Sequence, residues 1–149
     1  MRKYLFGTAI LILATACGPE LVFENSEMRV YVKEVSGAYD ESRFDDYASD
    51  GYSLGIAEVA GDSVRLNVSY SGGCGGADFR LLIDEPSMAA TTDSVASRSA
   101  VLLLEDNDNC EAIVSTDVTL PLSSLPAGPY TLFVYNPSQS GEVASVTIR

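Results

Sequence analysis

Between residues 63 and 70 apolar and polar side chains alternate: Val64, Leu66, Val68 and Tyr70 share one parity, and Arg65, Asn67 and Ser69 the other. A period of two places each set on one face of an extended chain, as a strand with one buried and one wet face requires. The same pattern, bounded by Gly, Pro, Asn, Asp or Ser, predicts further strands over 28–35, 52–59, 79–83, 100–104, 112–120, 130–135 and 143–148. Gly72, Gly73, Gly75 and Gly76 surround Cys74, so 63–70 and 79–83 read as a hairpin closed by a glycine-rich loop. Residues 88–96 have room for a turn or two of helix, but no convincing amphipathic helix and no internal repeat is visible. Short strands at close spacing predict an all-β protein, a single two-sheet sandwich of about seven to nine strands over residues 28–149.

The N-terminus breaks this pattern. Arg2 and Lys3 precede an apolar run over 4–13 and then Ala14, Thr15 and Ala16, the three parts of an export signal. The run is shorter than the roughly 20 apolar residues that span a bilayer. Ala14-Thr15-Ala16-Cys17 resembles the lipobox of bacterial lipoproteins. That resemblance implies a signal peptide over 1–16, acylation of Cys17 and a lipidated tether over 17–27. An ordinary signal peptide cleaved near Ala16, or a buried cysteine in a native N-terminal strand, is the alternative. Two or three acyl chains, at about 0.8 kcal/mol per buried methylene, make such an anchor effectively permanent. Gly18, not Asp, follows the cysteine, so the Asp-based inner-membrane retention signal of enterobacterial lipoproteins is absent.

Composition narrows the chemistry. The 149 residues hold 21 acidic and 9 basic side chains and no histidine, for a formal net charge of -12. Mechanisms that need an imidazole base or ligand are excluded. Scattered Lys and Arg on so acidic a chain also argue against nucleic-acid binding. With Cys17 taken by lipid, Cys74 and Cys110 remain, an even number in an exported chain, and a disulfide between them is expected. Closing a loop of that length contributes on the order of 4 kcal/mol in the chain-entropy account. A reactive thiol or a metal ligand is the alternative, although neither CxxC spacing nor histidine accompanies either cysteine.

Two further stretches resemble known families. Leu122-Ser123-Ser124-Leu125-Pro126-Ala127-Gly128-Pro129-Tyr130-Thr131-Leu132 resembles the L-x-x-L-P-x-G-x-Y-x-L segment of immunoglobulin-like and fibronectin-type domains of exported bacterial proteins. It implies an immunoglobulin-like sandwich in which Pro and Gly turn a corner, the Tyr130 ring is buried and its hydroxyl caps corner backbone. Tyr70-Ser71-Gly72-Gly73-Cys74 through Asp78-Phe79, followed by Asp106-Asn107-Asp108-Asn109-Cys110-Glu111-Ala112, resembles paired motifs of a family of uncharacterised bacterial lipoproteins, Y-S-G-G-C-x-x-H-x-F and H-D-x-N-x-D-x-C-E-A. In this chain Asp78 and Glu105 stand nearest the two histidine positions. The resemblance implies fold and compartment, and its paired cysteines agree with the disulfide.

Two clusters are candidate sites. Glu105, Asp106, Asp108 and Glu111 crowd beside Cys110, and the disulfide would bring Asp78 close. Hard oxygen ligands suit calcium, but the EF-hand template places Glu111 where its glycine belongs, counting from Asp106. An acidic turn between strands, with Asn and Asp bonding local backbone, is the other reading. Around Asp40–Asp50, carboxylates interleave with Tyr39, Phe44, Tyr47 and Tyr52. These rings are a candidate carbohydrate- or peptide-binding loop, or else pins that hold a wet loop to the sandwich.

No G-x-S-x-G elbow and no P-loop lysine is present. The expectation is therefore a membrane-anchored lipoprotein of the bacterial cell envelope, facing the periplasm or the cell exterior. It would act as a non-catalytic binding or structural module with an envelope or extracellular partner and no cofactor. A calcium-dependent binder using 105–111, or a small acid/base hydrolase, are the alternatives.

Overall fold

The computed structural model describes residues 21–24, 28–85, 96–106 and 110–149, and the fold is an all-β sandwich of two sheets. The export signal, Cys17, most of the 88–96 stretch and Asp108 lie outside the described residues. Among those described there are nine strands: β1 Leu21–Glu24, β2 Met28–Val35, β3 Tyr52–Ala60, β4 Ser63–Gly72, β5 Ala77–Asp84, β6 Ala96–Asp106, β7 Ala112–Pro121, β8 Tyr130–Tyr135 and β9 Val143–Ile148. The larger sheet has the order β1-β2-β5-β6-β8-β9, and the smaller has the order β3-β4-β7. Immunoglobulin sheets are antiparallel. Here β2 runs parallel to β5 and β6 parallel to β8, so the pairing departs from that plan.

The alternation seen in the sequence is the alternation of burial. Val64, Leu66 and Val68 of β4 face Phe79, Leu81 and Ile83 of β5 and Leu102 and Leu104 of β6 in one core, all at 0–1% exposure. Each such side chain contributes about 1.5–3 kcal/mol on leaving water. In β3 the phase slips. A register shift between Leu54 and Ala57 puts Ile56, which strict alternation would bury with Tyr52 and Leu54, 77% into solvent.

The structure corrects two expectations about connections. Strands β4 and β5 are not a hairpin: β4 pairs with β3 and β7, whereas β5 pairs with β2 and β6. The glycine-rich segment therefore carries the chain from the small sheet to the large one. A hairpin and a sheet-to-sheet crossover both need a short, conformationally free link between alternating strands, so the pattern alone does not separate them. The glycines answer local demands. Gly73 has φ +106°, and a Cβ there would meet Val114 Cγ2 at 2.7 Å; at Gly72 it would run into the Asp106 carboxylate. The second correction concerns 17–27, expected as a tether, where Leu21–Glu24 forms β1 and pairs antiparallel with β2.

A second crossover, from β6 to β7, returns the chain to the small sheet beside the first, and Cys74–Cys110 joins the two with Cα atoms 5.8 Å apart. The expected disulfide is present. It staples these two of the four sheet-to-sheet passages to each other.

Candidate functional site

The connection from β2 to β3, residues 36–51, is built as a cover over the outward face of the large sheet. Gly37, with φ +69°, turns the chain, and the Asp84 carboxylate accepts from the Gly37 and Ala38 amides at 2.8 and 3.2 Å. Asp40 then caps a 3-10 turn, Glu41–Asp46, by accepting from the Ser42 amide at 3.1 Å. Beyond it, the Leu104 amide donates to Ser49 Oγ at 3.1 Å, the Asp50 amide to the Leu104 carbonyl at 2.8 Å, and the Asp106 amide to Asp50 Oδ2 at 2.7 Å. These bonds are open to the segment because β8 pairs only with 96–101 of β6 and leaves 102–106 uncovered on that edge.

The aromatic residues of the candidate loop separate into two roles. The Tyr39 ring lies 5.7 Å from Phe44 and 4.1 Å from Tyr135 of β8, and Phe44 lies 6.4 Å from both Tyr47 and Tyr135. The Tyr47 hydroxyl donates to the Ala38 carbonyl at 2.7 Å. Beneath these rings Ala38 and Val101 have no exposed surface and Phe44 is buried, although none of the three belongs to the main core. Tyr39, Phe44 and Tyr47 thus pin the segment to the sheet. Tyr52 is removed from the exposed loop altogether: its ring is in the core and its hydroxyl donates to the Leu102 carbonyl at 2.6 Å. Tyr135 was not legible as a member of the cluster, because it lies on a strand remote in sequence and its alternation reads as an ordinary outward position.

Where the cover meets the sheet there is a cleft of about 460 Å³, walled by residues 48–50 and floored by Arg80, Leu103, Leu104 and Glu105. Arg80 bonds Glu105 Oε2 at 3.2 Å and lies 5.6 Å over the Tyr31 ring, with half of its side chain in solvent. The cleft therefore offers a cation, the carboxylates of Asp50 and Glu105, and an apolar floor at Leu103. Sequence reasoning missed Arg80, whose position in a strand gave no signal beyond an outward polar residue.

The described acidic candidates do not converge. Asp78 takes Arg29 in a two-pronged pair at 2.7 and 2.6 Å, and Glu105, its register neighbour on β6, is held by Arg80. Asp106 leans against Gly72, and Glu111 is exposed. Among the described residues no three His, Cys, Asp or Glu side chains come together as a metal-binding group.

The corner at Tyr130 is corrected in one respect. Its ring is buried as expected, under the Arg98 guanidinium at 5.4 Å, but its hydroxyl has no hydrogen-bond partner among the described residues. Burial pushes its pKa up, partly opposed by Arg98 and helped by Glu34. Tyr52 performs the backbone-bonding role instead, and burial, with the nearby Glu142 charge, raises its pKa strongly. Asn136, buried just past the other end of β8, holds the Tyr52 end of the sandwich together: its Nδ2 donates to the Tyr52 carbonyl at 2.7 Å and to Glu142, while its Oδ1 accepts from the Ser138 amide at 3.0 Å.

Compared with protein-family models, with curated proteins and with solved structures, the chain matches none.

Proposed function

We propose that this chain is a lipid-anchored protein of the bacterial cell envelope, acting as a non-catalytic binding module whose ligand surface is the cleft between residues 48–50 and the outer face of the large sheet. The observation that carries the binding reading is the cleft itself: a cation, two carboxylates and an apolar floor grouped in about 460 Å³, beside a segment fixed by hydrogen bonds and stacked rings. Pre-positioned polar groups around an apolar floor suit a small polar ligand or a peptide side chain bearing both a charged group and an apolar body.

The anchoring reading rests on Ala14-Thr15-Ala16-Cys17. Leu21 enters the sheet four residues after Cys17, and four extended residues reach at most about 14 Å. An acylated Cys17 would hold the β1 end of the sandwich close to the bilayer.

Two measurements test the two halves. Intact mass of the protein from its native membranes should show a chain starting at Cys17 with acyl mass, absent from a Cys17→Ser variant; an unmodified chain would remove the anchor. Thermal-shift screening against short peptides and oligosaccharides should find a class that stabilises the native protein and fails to stabilise Arg80→Ala. Stabilisation unchanged in Arg80→Ala would move the binding surface elsewhere.

A further inference from the structure

Each sheet has two edges, and three of the four are short or irregular. The outer strands of the large sheet, β1 and β9, have four and six residues, and β3 of the small sheet carries the register shift at Leu54/Ala57. The fourth, β7, differs. Its ten residues pair with β4 in unbroken register from Ala112 to Pro121, and among the described residues no strand lies on its other side. Long regular edges of this kind are templates for another strand unless charge, proline or a bulge blocks them. Here Asp117 is the single charge and accepts from Asn67 at 2.9 Å, while Pro121 stands only at the end. Ile113, at the start of the strand, is 83% exposed.

We infer that the free edge of β7 is a self-association surface, on which a second copy of this chain adds its own β7 antiparallel about a two-fold axis through Thr116. The sequence of the strand favours this register over those centred on Val114, Ser115 and Asp117. In that register Val114 faces Val118 of the second copy, Ser115 faces Asp117 and Ile113 faces Thr119, so apolar meets apolar and hydroxyl meets carboxylate. Centring on Asp117 would oppose two carboxylates, centring on Val114 would set Asp117 against Glu111, and centring on Ser115 would set Ile113 against Asp117. The inward side agrees: Val114 and Thr116 are half-buried whereas Val118 and Leu120 are fully buried, so the β7 end nearest the crossovers still has apolar surface to cover. The pairing would join two three-stranded sheets into one continuous sheet. A chain of net charge -12 resists its own approach, and an edge with one charge in ten residues is where that resistance is least.

Sedimentation of the full chain in excess detergent micelles, over a range of concentrations and salt, tests this. Dimer is expected, strengthened by salt because like-charged copies are screened from one another. A basic extended peptide pairing with the same edge would show the opposite salt dependence and no homodimer. Ser115→Asp, which brings a second carboxylate to Asp117 twice per dimer, should weaken association about tenfold, and Ser115→Lys should tighten it. On mild oxidation Thr116→Cys should cross-link to itself in preference to Ser115→Cys, with the unsubstituted chain as control for its own cysteines. A monomer at every concentration, a dimer indifferent to both Ser115 variants, or preferential cross-linking through position 115 would each overturn the inference.

Discussion

The Tyr52 hydroxyl donates to the Leu102 carbonyl at 2.6 Å, so a side chain of the three-stranded sheet is bonded to the backbone of the six-stranded sheet through the core. Tyr130, equally buried, makes no such bond among the described residues. Two phenols in one core therefore stand on opposite sides of the same free-energy argument. A buried hydroxyl that bonds contributes, and one that does not bond retains its desolvation cost.

Replacing Tyr52 by Phe orphans the Leu102 carbonyl and should cost about 1–2 kcal/mol. Replacing Tyr130 by Phe removes an unpartnered hydroxyl without changing the ring, and stability should stay level or rise by up to about 1 kcal/mol. Chemical denaturation of the two variants reads the difference. Equal losses would show that the Tyr130 hydroxyl has a partner.

Alkaline pH acts on the same pair. Both phenols have pKa values raised by burial above the ordinary value of 10.0, so the folded state holds their protons more tightly than the unfolded chain. Their contribution is complete below pH 10 and is lost as pH climbs past it, because the unfolded chain then ionises while the folded one does not. Melting temperature should fall above pH 10, and less steeply in the Tyr52→Phe plus Tyr130→Phe double variant. A parallel alkaline limb in native and double variant would contradict this.

The cover over the large sheet should open independently of the sandwich. Phe44→Ala removes a buried ring that is outside the main core and should free residues 36–51 for hydrogen exchange, while amides of β4 and β5 keep their protection. Burial of that ring is worth about 2–3 kcal/mol, enough to raise local opening about a hundredfold. Loss of protection throughout the molecule would make the segment part of the global folding unit.

Reduction of Cys74–Cys110, or Cys74→Ser with Cys110→Ser, frees the β4–β5 and β6–β7 crossovers from each other and should lower stability by about 2–5 kcal/mol. The loss should appear in the midpoint of denaturation with the folded spectrum retained. A change of less than about 0.5 kcal/mol would mean that the crossovers hold each other without the bond.

What the sequence disclosed follows from which interactions are local. Strands at Met28–Val35, Tyr130–Tyr135 and Val143–Ile148 are legible end to end, because their alternation stops at turn-forming residues. Pairing is a different matter. That β2 lies beside β5 in parallel, or that β4 and β5 belong to different sheets, depends on contacts between distant segments that period-two spacing does not encode. The site shows the same division. Tyr39, Phe44 and Tyr47 were visible as a cluster of rings, but Tyr135 and Arg80, which complete the cover and the cleft, enter from other strands. Glu105, in the crowded acidic stretch, and Asp78, which the disulfide brings near it, look like ligands in sequence, but each is taken by an arginine on a neighbouring strand, Arg29 for Asp78 and Arg80 for Glu105.

The disulfide also has a mechanical meaning. It spans 36 residues that include β5 and β6, the middle of the large sheet. A pull applied between the two chain ends travels through the Cys74–Cys110 bond, and these two strands carry no tension. At about 3.3–3.6 Å per residue, roughly 120 Å of contour is withheld from any extension. Drawn from its ends, the molecule would yield from its flanks while the centre of the larger sheet stays slack.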